Sequence, residues 1–159
     1  MAKVIMICGK ICSGKSTYSE KLRKENKAVV LSVDEITLAL FEQSVGEKHD
    51  EYVAKLKKYL FEKSLDIVLV GVDVILDWGF WTKAERDYAR EFYSSRNINY
   101  EFHYIDINEK TWQVRLEKRN KEILAGEVEA YYVDANLKEK VESIFECPDK
   151  NEIDVWIES

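Results

Sequence analysis

Apolar residues run along this chain in two rhythms, and their alternation lays out a fold. Val4-Ile5-Met6-Ile7-Cys8 is an unbroken apolar run closed by Gly9, the pattern of a strand buried on both faces. From Lys15 to about Glu25, Tyr18 and Leu22 stand four apart among charges, which suits an amphipathic helix. Ala28-Val29-Val30-Leu31 is a second short buried strand, followed by Ser32-Val33-Asp34. A long helical stretch comes next, with a break near Gly46. Tyr52, Leu56, Tyr59, Leu60, Lys63 and Ile67 keep helical spacing up to Gly71, a C-terminal cap. Val72 to Leu76 predicts a third strand ending at Asp77. Thr82-Lys83-Ala84-Glu85 reads as a capping box that opens a helix to about Ser95. Tyr100 to Ile105 is a fourth strand, and Asn108 caps a helix from Glu109 to about Leu124. After Gly126, Asp134 starts a helix ending near Phe145, Cys147 to Asn151 is a loop, and Ile153 to Ile157 is a last strand. Strands alternating with helices of ten or more residues predict an α/β fold, a parallel sheet flanked by helices on both faces.

Composition narrows this picture. A length of 159 residues suits one domain, residues 1–159, with a substantial core. A net charge of −6 does not favour a general nucleic-acid binder, which needs a basic face. Three cysteines (Cys8, Cys12, Cys147) with no framework spacing read as free thiols in a reducing compartment. No second Cys/His pair completes a zinc site with Cys8 and Cys12, and His49 and His103 stand alone as solvated or packed imidazoles. The first apolar stretch is too short for a signal-peptide core, and no window approaches the roughly 18 apolar residues of a membrane span. A cytoplasmic protein with no membrane partner is expected; the oligomeric state stays open.

The chemistry begins at Gly9-Lys10-Ile11-Cys12-Ser13-Gly14-Lys15-Ser16, which matches the P-loop pattern at every fixed position. It falls where that motif must fall, between a buried strand and a helix. Glycines let successive N–H groups turn toward one point as an anion nest, and the helix opening at Lys15 adds its positive end. Lys15 can reach the β- and γ-phosphates, and the Ser16 hydroxyl can coordinate magnesium. Nucleotide binding follows. The guanine-reading Asn-Lys-x-Asp is missing, since neither Asn26-Lys27 nor Asn120-Lys121 has the aspartate. A chain this short leaves room for a small-molecule acceptor inside the same domain.

Several segments carry a more specific resemblance: the loop through Thr17, then Ser32-Val33-Asp34, then Val74-Ile75-Leu76-Asp77-Trp78-Gly79-Phe80-Trp81 with Glu85-Arg86, then Arg115-x-x-x-Arg119-Asn120. With these the whole chain resembles the small P-loop kinases grouped with polynucleotide 5′-hydroxyl kinase, chloramphenicol phosphotransferase and zeta toxin. It is most similar to a bacterial branch of AAA-domain ATP-binding proteins. The resemblance implies a five-stranded parallel sheet of adenylate-kinase type with a mobile lid over about residues 115–135, and ATP with Mg2+ as cofactors.

Candidate roles follow. Gly9, Lys10, Ile11, Cys12, Ser13, Gly14, Lys15, Ser16 and Thr17 form the phosphate cradle, and Ser16 and Asp77 the metal set. Asp34 lies at the sheet edge where ligands of open α/β sheets gather. The resemblance makes it the base that orients the acceptor hydroxyl; the alternative is a helix cap. Asp77 serves the magnesium shell, a substrate group or a turn. Arg115 and Arg119, four apart on one helix face, are placed as nucleotide-clamping arginines by the resemblance, or else join surface salt bridges. Arg119 joins Lys15 and Asp34 in the catalytic set. Trp78, Phe80 and Trp81 either line the acceptor site or pack in the core, and Arg86 is placed to reach an anionic acceptor. Polynucleotide kinases carry an arginine three residues after the catalytic aspartate, and this chain has Thr37 there. The expectation is therefore an ATP-dependent phosphotransferase with a small-molecule hydroxyl acceptor, nucleic acid being disfavoured. The alternatives are a polynucleotide kinase or a non-catalytic nucleotide-binding switch.

Overall fold

A computed structural model describes residues 1–43, 46–128 and 130–159; positions 44–45 of the expected long helical stretch and position 129 of the expected lid lie outside them. Five strands, β1 (Val4–Cys8), β2 (Val29–Ser32), β3 (Val74–Gly79), β4 (Tyr100–Asp106) and β5 (Val155–Glu158), pair in parallel in the order β2-β3-β1-β4-β5. The helices are α1 (Lys15–Asn26), α2 (Val33–Phe41), α3 (His49–Leu69), α4 (Lys83–Ser94), α5 (Glu109–Leu124) and α6 (Ala135–Ile144), with a 3-10 turn at Lys150–Glu152.

The unbroken apolar run of β1 now has its cause. Val4, Met6 and Cys8 face one core with Phe61, Phe80, Phe92, Tyr93 and Phe102. Ile5 and Ile7 face the other, against Leu22, Ala28, Ile75 and Ile105. A central strand with helices on both faces has no polar side to show. A third cluster, around Trp112, Leu116, Val133 and Val141, joins α5 to α6 beside the phosphate loop.

Three local features depart from the pattern expected. β3 runs past Asp77 to Gly79, because the β1–β3 register shifts: Ile7 pairs with Asp77 but Cys8 with Gly79. Trp78 is thus the extra residue of a bulge, which re-aims the end of a strand. Gly79 has φ +88°, and a Cβ there would lie 2.5 Å from Trp81 Nε1, so only glycine fits. The capping box at α4 is half formed. Thr82 accepts from the Glu85 N–H, but Glu85 reaches back to the Trp81 N–H (3.1 Å) and outward to Lys57.

Arg86, expected to reach an anionic acceptor, turns inward instead and lines neither cleft beside the loop. It is 1% exposed, donates to Glu152 and to the carbonyls of Phe80 and Trp81, and so pins the turn after β3. A buried guanidinium needs acceptors for its donors, and Glu152 and this turn supply those of Nε and Nη1.

Candidate active site

The helices differ at their N-termini. α2, α4, α5 and α6 are each capped by a side chain, from Ser32, Thr82, Asn108 and Asp134. Helix α1 begins at Gly14 with no side-chain cap and no acidic residue in its first turn. Its first amides are left for a ligand, and the helix dipole favours an anion there. The two loop glycines serve different ends. Gly14 has φ +102°, whereas a Cβ on Gly9 would meet Ser13 Oγ at 2.8 Å. Cys12 itself takes a left-handed φ of +60°.

Four of the loop carbonyls find side-chain donors. Trp81 Nε1 donates to the Gly9 carbonyl (3.0 Å) and Lys15 Nζ to that of Lys10 (2.7 Å). Trp112 Nε1 donates to Ile11 (2.7 Å) and Arg115 Nη1 to Ser13 (2.9 Å). Gly9 N–H in turn donates to the Gly79 carbonyl, tying the loop to the bulge. The loop is therefore supported from behind by Trp81, Trp112 and Arg115. Lys10 lies with Nζ 4.5 Å from the centroid of the Trp112 ring, while Thr17 is exposed on α1.

Lys15, Ser16 and Asp77 come together at the C-terminal edge of the sheet. Ser16 Oγ is 3.4 Å from Asp77 Oδ2. Burial pushes the Asp77 carboxyl above its ordinary range, Lys15 opposes this, and Asp34 adds to it. The Lys15 ammonium is lowered by burial and held up by Asp77 and Asp34. These opposed shifts describe one tight charge cluster. Among the described residues no group of three His, Cys, Asp or Glu side chains could hold a metal alone. Magnesium needs less, because it binds through one or two carboxylates plus phosphate and keeps several waters. Ser16 and Asp77 suit that, and the fully buried Ser19 Oγ beside them finds no hydrogen-bond partner.

Asp34 projects from the first turn of α2 and is exposed; Ser32, not Asp34, caps that helix. Two clefts meet at this carboxylate. A chamber of about 610 Å3 is walled by Trp78, Val53 and Lys57, and a neighbouring cleft of about 810 Å3 by Ser19, Arg23 and Leu38. Ser16, Asp34, Asp77, Arg119 and Tyr131 line both. Arg119 makes no hydrogen bond or ion pair among the described residues, whereas Arg115 lies behind the loop, bonded to Ser13 and Ser159. Of the aromatic trio, Phe80 is core, Trp81 holds the loop, and Trp78 stacks on Phe80 while facing the chamber.

Sequence reasoning missed Trp112, whose indole could be foreseen only by knowing that α5 crosses the loop. It also missed Tyr131, whose hydroxyl donates to Thr37 Oγ1, and Lys57 on the chamber wall. Asn120 pairs through both amide atoms with the Val133 backbone, and Gln43 bonds Ala130 and Tyr132, so segment 130–133 lies against α2 and α5. His103 is a packed imidazole between Tyr18 and Glu101, and burial pushes the Cys8 thiol up to about 12. No described helix is long and apolar enough to cross a membrane.

A family model described as an AAA domain matches residues 4–139. No curated protein matches the chain. Among solved structures, the fold is similar to a sugar kinase from Janibacter sp., with 16% identity and a TM-score of 0.68 over 99% of this chain and 86% of that one. It is similar to the APS kinase of Mycobacterium tuberculosis in complex with AMPPNP and APS, at 17% identity and TM-score 0.69 over 99% and 88%. A chain of the Pnkp1/Rnl/Hen1 RNA repair complex matches at 18% identity and TM-score 0.68, over 89% of this chain and 43% of that one. At such identities these structures establish the fold, a P-loop nucleotide-binding kinase fold. With the loop, the sheet order and the family match in place, the chain belongs to the AAA-domain family of P-loop kinase-type proteins.

Proposed function

We propose that this protein transfers the γ-phosphoryl group of ATP to a hydroxyl of a small molecule. The observation that supports it most is the meeting of an uncapped amide nest with the exposed Asp34 carboxylate at one chamber. The loop amides and Lys15 hold the β- and γ-phosphates, for which Lys15 exchanges the Lys10 carbonyl for phosphate oxygen. Magnesium, held by Ser16 and Asp77, neutralises phosphate charge when bound. Asp34 accepts the hydrogen bond of the acceptor hydroxyl and takes its proton as the oxygen attacks phosphorus. Arg119 closes on the charge of the transferring group, and a lid over 115–135 excludes water. Free cysteines and ATP as donor suit a cytoplasmic setting.

Thr37, where polynucleotide kinases carry arginine, is 2% exposed and bonded to Tyr131, so no cation stands there for a neighbouring phosphate. The test is a metabolite-library screen for acceptor-dependent ADP release with Mg-ATP. One chemical series is expected to raise ADP release at least about tenfold over the basal rate. Slow ATP turnover unaffected by any acceptor would point to a nucleotide-binding switch instead. Transfer to a 5′-hydroxyl oligonucleotide would point to a polynucleotide kinase.

A further inference from the structure

The two clefts that meet at Asp34 differ in their walls but share a pattern of charge. In the chamber, Lys57 Nζ lies 2.7 Å from Glu85 Oε1, and the other Glu85 oxygen accepts the Trp81 N–H. In the neighbouring cleft Arg23 is held by both oxygens of Glu20. The cation on each wall is thus already matched to a carboxylate of the protein. The acids are less closely matched: Asp34, whose charge acts on Lys15, and Asp50 in the chamber, and Glu35 in the cleft, are exposed and make no ion pair among the described residues. Lys15 and Arg119 face the transferring phosphoryl group, and Lys140 adds one exposed ammonium from α6.

An anionic acceptor would meet carboxylates on entering, and could reach Lys57 only by displacing Glu85. A neutral acceptor meets no such obstacle, a cationic one meets the exposed Lys140 ammonium, and hydroxyls or an amine satisfy Asp34 and Asp50. Trp78, fixed by stacking on Phe80 and edge-on against Phe61, gives the chamber a rigid apolar wall with Val53. Resting on the phosphotransferase reading above, we infer that the acceptor is a polyol or amino alcohol that carries no phosphate, sulfate or carboxylate. Its selection works through like-charge exclusion as much as through contact.

The test has two arms. The first is a panel of shape-matched trios, each a sugar or polyol, its amine and its acid, with glucose, glucosamine and glucuronate among them, read as acceptor-dependent ADP release. Turnover is expected with neutral and amino members, the acid of a productive trio falling at least about tenfold in kcat/KM. Glu85→Gln, which frees Lys57, is expected to narrow that gap. The second arm reads the field without catalysis. Val53→Cys in a Cys147→Ser background is modified with trimethylammonioethyl and sulfonatoethyl methanethiosulfonate, after subtracting the Cys12 rate of the Cys147→Ser parent. Relative to 2-mercaptoethanol, the cationic reagent is expected to gain about fivefold, less at high salt and less with Asp50→Asn. Acid acceptors turned over as well as neutral ones, or an anionic reagent favoured at position 53, would overturn the inference while leaving phosphoryl transfer standing. A cation-favouring thiol beside a silent panel would instead overturn the assignment of an acceptor to this chamber.

Discussion

The two halves of the site are built in opposite ways. On the nucleotide side, the carbonyls of Gly9, Lys10, Ile11 and Ser13 each receive a donor, from the turn before α4, from α1 and from α5. On the acceptor side, Asp34, Asp50, Glu35 and Arg119 have no such partner among the described residues, and the chamber is bounded by segment 130–133 held by a few hydrogen bonds. The nucleotide half is thus organised before its ligand arrives, which lowers the ordering cost of binding. On the proposed reading, the acceptor half keeps polar groups for the ligand and the transition state to satisfy.

This contrast can be broken or sharpened by substitution. The largest effect is expected for Lys15→Ala, which removes the one ammonium at the phosphates. Phosphoryl transfer should fall on the order of 10³-fold, measured as kcat/KM for ATP. A small loss would mean that the amide nest alone carries the charge. Next comes Trp112→Phe, which keeps the ring in the core beside Lys10 but leaves the Ile11 carbonyl without its donor. An unsatisfied buried acceptor costs about 1–3 kcal/mol, so affinity for a non-hydrolysable ATP analogue should weaken about tenfold by calorimetry. An unchanged affinity would show that the loop needs no support from behind.

Asp77→Asn acts on stability. Burial raises the Asp77 carboxyl above its unfolded value, so its favourable contribution is complete only below the unfolded range and is lost as pH rises through the folded value. Removing that charge should therefore stabilise the nucleotide-free protein at neutral pH, while weakening Mg-ATP binding. Urea unfolding from pH 4 to 8 checks the sign, because the gain over the parent should grow with pH and then level off. The smallest effect is expected for Tyr131→Phe, which loses one hydrogen bond to Thr37 of about 1 kcal/mol. It should raise acceptor KM about fivefold with nucleotide affinity untouched; a change in both would tie segment 130–133 to the nucleotide half.

What the sequence made legible follows from where the governing interactions lie. The continuous apolar run at Val4–Cys8 announced a strand buried on both faces, whereas Ala28–Leu31, read as buried on the same ground, forms the sheet edge with Val29 exposed. Ser32, Asn108 and Asp134 cap their helices within three residues, so local spacing was enough to expect the helix starts that follow Asn108 and Asp134. Arg86 shows the limit. One turn into a helix beside the site it reads as a substrate contact, yet Glu152, 66 positions away, makes it an internal ion pair. Trp112 carries no local signal and Trp81 reads as core or acceptor wall for the same reason, since their partners Ile11 and Gly9 lie 101 and 72 positions away. Long-range partners leave no periodic mark.

The central claim is that Asp34 acts on the acceptor and not on the nucleotide. Its most direct test is a paired measurement on Asp34→Asn: affinity for Mg-ATP, and phosphoryl transfer to an acceptor found productive with the parent protein. The account predicts an affinity within about twofold of the parent, and transfer lower by about 10²-fold or more. Transfer unchanged in that variant would contradict it.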